Sequence, residues 1–214
     1  MQLPLGDQAF LFSGELDLPD RRVGELIAAV AADAPFRHME VPGGRRMEVP
    51  GGRRMSVAMT SCGDHGWVTD RSGYRYSPVD PTTGRPWPPM PPEFRALAAD
   101  FAERAGFPGF EPDSCLVNRY ARDAKMGLHQ DRDEESGRWP IVSVSVGLTG
   151  RFAFGGHART DPVRRVDLHS GDVVVWGGVD RFRFHGIDRA KGPTDPVFGD
   201  HRYNLTLRRS REAA

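Results

Sequence analysis

The sequence is poor in several features that would place it in other classes. It has two cysteines, Cys62 and Cys115, and no CxxC pair. Two isolated cysteines do not make a disulfide framework, and the reading is two reduced thiols in a reducing compartment. It has no excess of either charge, with 29 Lys+Arg against 29 Asp+Glu. A neutral total gives no global pull toward nucleic acid, although a local basic groove stays open. No apolar run is long enough for a membrane helix. The opening residues, MQLPLGDQAFLFSGEL, lack the basic stretch and apolar run of a secretory signal. A soluble, cytoplasmic, monomeric protein with no membrane partner is the expectation. Long helices also look scarce, since 25 Gly and 18 Pro among 214 residues suit a loop-rich, mostly β chain.

The length fits a single domain, residues 1–214. Two helices are readable early. Asp20 can cap RRVGELIAAVAADA, where Val23, Leu26, Ile27 and Val30 share a face. PPEFRALAADFAERAG places Phe94, Leu97, Ala98 and Phe101 at helical spacing and stops at Gly106. Between them MEVPGGRR occurs twice in tandem, at 39–46 and 47–54. Two copies cannot build a solenoid, so a lengthened hairpin or loop is expected. Residues 64–92 are rich in Pro, Gly, Tyr and Trp, and such a long irregular stretch is often a lid. From residue 114 the chain turns to short β runs: SCLVNRY, PIVSVSVGL, RFAFGG, RRVDLHSGDVVVW, RFRFHGI and HRYNLTLRR. The expected fold is mainly β with flanking helices, a sandwich or jelly roll over about 114–210.

The chemistry starts at His129-Gln130-Asp131. In an extended segment residues i and i+2 face the same way, so the spacing aims an imidazole and a carboxylate at one point. His185, in the strand-like RFRFHGI, would complete two histidines and one carboxylate, the facial set of non-haem iron(II) sites. Spacing alone does not separate that set from unrelated structure. The last strand adds to it. In HRYNLTLRR, Arg202, Asn204, Thr206 and Arg208 alternate with Tyr203, Leu205 and Leu207. Such a polar face either meets solvent or turns into a barrel mouth, where two guanidiniums would suit a small dicarboxylate. Asn118 and Tyr120 share a face just upstream of the HxD.

With these runs the sequence resembles the AlkB family of Fe(II)/2-oxoglutarate dioxygenases, in particular the bacterial type. The matching stretches are MSVAMTSCG (55–63), GWVTDRSGYRYSPVDPTTGRPWPPMP (66–91), NRYARDAKMGLHQDRDE (118–134), PIVSVSVGL (140–148), FAFGG (152–156), GDVVVWGG (171–178), RFHGI (183–187) and RYNLTLR (202–208). The resemblance implies a double-stranded β-helix (jelly roll) core with a nucleotide-recognition lid over about 36–92. It implies His129, Asp131 and His185 as iron ligands and catalytic centre. It assigns Asn118, Arg119, Tyr120, Arg202, Tyr203, Asn204, Leu205, Thr206, Leu207 and Arg208 to 2-oxoglutarate. Trp67, Tyr74, Arg75, Tyr76, Asp133 and Arg159 would contact substrate. The tandem MEVPGGRR departs from the family pattern, which has about one copy's worth of sequence there.

The implied reaction is oxidative demethylation of N1-methyladenine and N3-methylcytosine, with Fe(II), 2-oxoglutarate and O2, releasing formaldehyde, succinate and CO2. Alkylated single- or double-stranded DNA is the expected partner, with RNA left open. A base within a duplex must be flipped out to reach such a site. Both lesions are cationic, and a carboxylate at Asp133 would favour them over neutral bases. Two other readings stand beside this one. A hydroxylase or demethylase of a protein or small molecule would use the same triad and arginines. A cupin-like binding protein would keep the metal without catalysis. Trp176 and the two phenylalanines Phe152 and Phe154 read as core, and His38, His65, His157, His169 and His201 have no ligand role.

Overall fold

Every second residue between Val142 and Val146 is a valine, and that period sets the layers of the protein. The computed structural model describes residues 1–40, 54–70 and 73–212. In chain order the elements are β1 (Gln2–Pro4), β2 (Ala9–Phe12), α1 (Asp20–Asp33), β3 (Arg37–Glu40), β4 (Arg54–Gly63), β5 (Gly66–Asp70), β6 (Gly73–Ser77), α2 (Pro92–Arg104), β7 (Ser114–Ala121), β8 (Met126–His129), β9 (Ile141–Gly147), β10 (Gly150–Phe154), β11 (Arg164–Leu168), β12 (Asp172–Trp176), β13 (His185–Ile187) and β14 (His201–Arg208).

Among the described residues a large sheet runs β1-β2-β12-β9-β14-β7-β4-β3 and a smaller one runs β11-β10-β13-β8. The outer face of the large sheet takes the helices. Val142, Val144, Val146, Val173, Val175, Leu205 and Leu207 bury there with Val23 and Ile27 of α1 and Phe94, Ala98 and Phe101 of α2. The inner face carries the alternate residues, including Leu116, Tyr120, Ile141, Val174 and Trp176, which bury with Phe152, Phe154 and Ile187 of the small sheet. The result is the jelly-roll sandwich expected, with helices on one side.

Some local expectations differ from the structure. Asp20 is the first residue of α1 rather than its side-chain cap, and Pro19 stands at the cap position. The Asp20 carboxylate instead accepts from Ser170 Oγ at 2.9 Å, tying the helix start to the turn before β12. RFRFHGI is not one strand. Only His185–Ile187 pairs, and the chain before it turns through a 3-10 segment at Gly178–Asp180. Of the tandem MEVPGGRR, all but Met39, Glu40 and Arg54 lies outside the described residues. β5 and β6 form a separate hairpin with Trp67 opposite Tyr76. No described helix is long and apolar enough to cross a membrane.

Leu205 is fully buried under the helices and does not face the interior of the sandwich. Leu205→Ala should therefore lower the unfolding free energy by about 2–5 kcal/mol, read by urea denaturation. Binding of a divalent metal by the folded variant should be unchanged.

Candidate active site

Antiparallel pairing of β8 and β13 puts His129 directly opposite His185. Gly186 makes the close pairing possible, because a Cβ there would sit 2.7 Å from the Met126 carbonyl oxygen. The rings lie 4.4 Å apart between centroids. His129 Nδ1 lies 2.9 Å from the Gly127 carbonyl oxygen, and His185 Nδ1 lies 3.1 Å from that of Arg183. Each Nδ1 therefore donates, which fixes the tautomer and turns the Nε2 lone pair outward, as metal-ligating histidines require. Asp131, in the loop after β8, meets both. Its Oδ1 is 3.5 Å from His129 Nε2 and its Oδ2 is 3.7 Å from His185 Nε2. All three side chains offer a ligand atom within 4.8 Å of the others, the one such group among the described residues.

The electrostatics suit a divalent cation. Burial, helped by the neighbouring His129 charge, pushes His185 down to about 3, so its imidazole is neutral at pH 7 and free to ligate. Burial would also lower His129, but the Asp131 carboxylate and the Gly127 carbonyl outweigh it and raise this histidine. Burial opposes the Asp131 charge, yet Arg208 and the two histidines overcome it and hold the carboxyl well below its ordinary range. Arg208 donates Nη2 and Nε to Asp131 Oδ2 at 2.6 and 3.1 Å.

The inner face of β14 continues the polar layer. Arg202 is 1% exposed, donates Nη2 to Ser145 Oγ at 2.7 Å and lies over the Tyr120 ring at 5.2 Å. Its Nε and Nη1 have no hydrogen-bond partner. A buried guanidinium with two open donors is strongly unfavourable unless an anion completes it. Gly150 leaves room for this side chain, since a Cβ there would lie 2.5 Å from Arg202 Nε. Asn204 Nδ2 donates to Ser143 Oγ and the Val144 carbonyl, while Asn118 Nδ2 reaches Asn204 and Thr206. The buried Asn118 Oδ1 is also unpartnered. A carboxylate ligand therefore fits Arg202, and a cation fits the triad.

A cavity of about 400 Å³ joins these groups and opens beneath the β5–β6 hairpin. Trp67 stacks on Tyr74 with centroids 5.5 Å apart and donates Nε1 to Asp133 Oδ2 at 2.7 Å. Tyr76 donates its hydroxyl to Glu134 Oε1 at 2.8 Å.

The structure thus brings His129, Asp131, His185, Asn118, Tyr120, Arg202, Asn204, Thr206, Arg208, Trp67, Tyr74, Tyr76 and Asp133 around one cavity. Four members of the expected cosubstrate set fall elsewhere. Arg119, Tyr203, Leu205 and Leu207 occupy the odd positions of their strands and point to the helix side. Arg119 lies over the Phe36 ring at 4.5 Å, and the other three pack in the outer core. Arg75 is exposed and pairs with Asp70 within the hairpin. Arg159 stands outside the cavity lining, over the Phe184 ring, and donates to the Leu128 carbonyl just before His129. Trp176 and Phe152, core residues by sequence, also line the cavity, and Trp176 packs 4.9 Å from the His185 ring. The alternation of Trp176 with Val175 was a readable signal for its inward face.

A sandwich with two histidines and a carboxylate on its inner face is the framework of 2-oxoglutarate- and iron(II)-dependent oxygenases. The model of the 2OG-Fe(II) oxygenase superfamily matches residues 16–208. The Alpha-ketoglutarate-dependent dioxygenase AlkB of Escherichia coli (strain K12) is 53% identical over 181 residues, 85% of this chain and 80% of that protein. The AlkB homolog of Caulobacter vibrioides (strain NA1000 / CB15N) is 45% identical over 205 residues, 95% of this chain and 88% of that one. The solved structure of OsALKBH1 superposes with a TM-score of 0.81 at 28% identity, covering 98% of this chain and all of that one. The chain belongs to the AlkB family of these dioxygenases. Ferrous iron, 2-oxoglutarate and dioxygen are accordingly its cofactor and cosubstrates.

Asp131→Ala should abolish saturable binding of manganese(II), used as a redox-stable stand-in for iron and followed by electron paramagnetic resonance. Wild-type affinity in that variant would remove Asp131 from the ligand set.

Proposed function

We propose that this protein oxidatively demethylates N1-methyladenine and N3-methylcytosine in DNA. The observation that carries the reading is the juxtaposition of three features in one cavity: the His129/Asp131/His185 group, the open donors of Arg202, and the Trp67–Asp133 pair at the mouth. The named relatives support it, being an AlkB dioxygenase and, at 32% identity over 124 residues, the nucleic acid dioxygenase ALKBH1 of Mus musculus.

Each residue has a part that its chemistry supports. His129, His185 and Asp131 would hold the iron. When bound, the iron with 2-oxoglutarate and dioxygen supplies the oxidising power that hydroxylates the N-methyl carbon. Arg202 would take one carboxylate of 2-oxoglutarate in a bidentate grip, steadied by Tyr120 and Ser145. Asn118, Asn204 and Thr206 form a fixed polar floor beside it. Arg208 balances the charge of Asp131 and sits where a second carboxylate would approach. The flipped base would lie between the Trp67/Tyr74 hairpin and the His129 ring. Asp133 would meet the positive charge of the methylated ring. The cationic hydroxymethyl adduct would then lose formaldehyde and a proton, leaving the neutral base with a bare ring nitrogen, while 2-oxoglutarate ends as succinate and CO2.

The charge at Asp133 and the aromatic hairpin favour a cationic, planar substrate over a peptide or a small metabolite. The two buried thiols, Cys62 opposite Cys115 across β4 and β7, support placement in a reducing compartment such as the cytoplasm.

The test is mass spectrometry of oligodeoxynucleotides carrying each lesion, incubated with the protein, Fe(II), ascorbate and 2-oxoglutarate. Loss of the methyl mass with release of formaldehyde is expected, and intact lesions would refute the reading. Arg202→Ala should raise the 2-oxoglutarate KM by about 10- to 100-fold, the worth of a charged hydrogen-bonded contact. Trp67→Ala should weaken oligonucleotide binding while leaving uncoupled 2-oxoglutarate turnover near the wild-type rate.

A further inference from the structure

The three ligand side chains come from two stretches of chain far apart in sequence. His129 ends β8 and Asp131 lies in the loop of residues 130–139, while His185 opens β13 after the turn of residues 177–184. Backbone pairing holds His129 to His185, but it does not reach Asp131. What spans the gap is Arg181. It is 2% exposed, and its guanidinium donates Nε to the Trp139 carbonyl at 3.0 Å and Nη1 to the Asp131 carbonyl at 3.0 Å. Its third nitrogen, Nη2, forms an ion pair with Glu134 Oε2 at 2.9 Å, with both side chains almost wholly buried. A second tie runs the same way, from Gln130 Nε2 to the Phe182 carbonyl.

Glu134 in turn faces the site. Its Oε1 accepts from Tyr76 of the hairpin at 2.8 Å and lies 3.3 Å from Nε of Arg208, which also holds Asp131. We propose that Arg181 is a positioning residue that clamps the Asp131 loop onto the His185 turn and fixes Glu134 as the point where the hairpin meets Arg208. This deepens the metal-site reading above and rests on it. The planar fork is the feature that matters, since one guanidinium donates to two carbonyls in fixed directions while its third nitrogen keeps its charge against the Glu134 carboxylate. A lysine would keep the charge beside Glu134 but could not span all three acceptors. The clamp touches no ligand atom of the triad, so its loss should loosen the metal site rather than remove it.

The experiment compares the full-length wild type with Arg181→Lys. Manganese(II) is titrated with 2-oxoglutarate at saturation, and fold is followed by circular dichroism. The expected result is a folded variant whose manganese affinity falls about tenfold or more, the range seen when support around metal ligands is lost. Its resonance lines should also broaden from a less uniform site, and the oligonucleotide KM should rise because Tyr76 loses a fixed acceptor. A folded variant with wild-type affinity and line shape overturns the clamp. If the variant fails to fold, nitrogen-15 NMR of the wild type decides. A clamped Arg181 keeps a slowly exchanging Nε–H signal at neutral pH, and a rapidly exchanging one overturns the proposal. A wild type that binds no manganese would instead defeat the metal-site reading, while the Arg181 signal would still judge the clamp.

Discussion

A largely enclosed carboxylate, Asp131, its side chain 11% exposed, is held among two imidazoles and a guanidinium, and much of the interior is arranged to make that tolerable. An ionised group taken out of water needs partners of opposite charge and filled hydrogen-bonding positions. Arg208 supplies the charge at 2.6 Å, and it is itself buried, so it needs Asp131 and Glu134 in return. Burial works against the Arg208 charge, but these two carboxylates and Tyr76 raise its pKa all the same. Glu134 needs Arg181. One acidic residue thus obliges a chain of paired charges, laid between two apolar layers. Both Arg208 bonds go to Oδ2, so Oδ1 of Asp131, 3.5 Å from His129 Nε2, is left open toward a cation.

The layers that enclose this chain follow from strand alternation. Because β14 has period two, one strand can bury Leu205 and Leu207 beneath helices and still present Arg202, Asn204, Thr206 and Arg208 to the cavity. The partner strands repeat the device, with Ser143 and Ser145 of β9 facing inward between valines that face out. His129 and His185 sit on the small sheet and the polar row of β14 on the large one. The sandwich therefore sets their separation, and the hairpin adds an aromatic wall to the cavity between them.

Much of this was legible from residues alone. The HxD spacing and the alternating HRYNLTLRR run located the triad and the polar floor, because both depend on local periodicity. The family resemblance extended the assignment along whole stretches, and there alternation cut it back, since Arg119 and Tyr203 lie one residue out of phase with the cavity. What stayed hidden depended on contacts remote in sequence. Nothing local marks Arg181 as the partner of Glu134, which lies across the fold, and RFRFHGI reads as one strand until the backbone N–H groups of Arg181 and Arg183 are seen to donate to Gly178 and Asp180 in a turn. Trp176 reads as core because it is core, yet its ring also walls the His185 site.

If His129, Asp131 and His185 hold iron and the arginines of β14 hold 2-oxoglutarate beside it, the two ligands must bind as one unit. The most direct measurement is visible absorption of the protein titrated anaerobically with Fe(II) and 2-oxoglutarate. A charge-transfer band is expected that saturates with both additions, disappears in His185→Ala, and in Arg202→Ala needs far more 2-oxoglutarate to develop. A band that persists unchanged in His185→Ala, or none at all in the wild type, would contradict it.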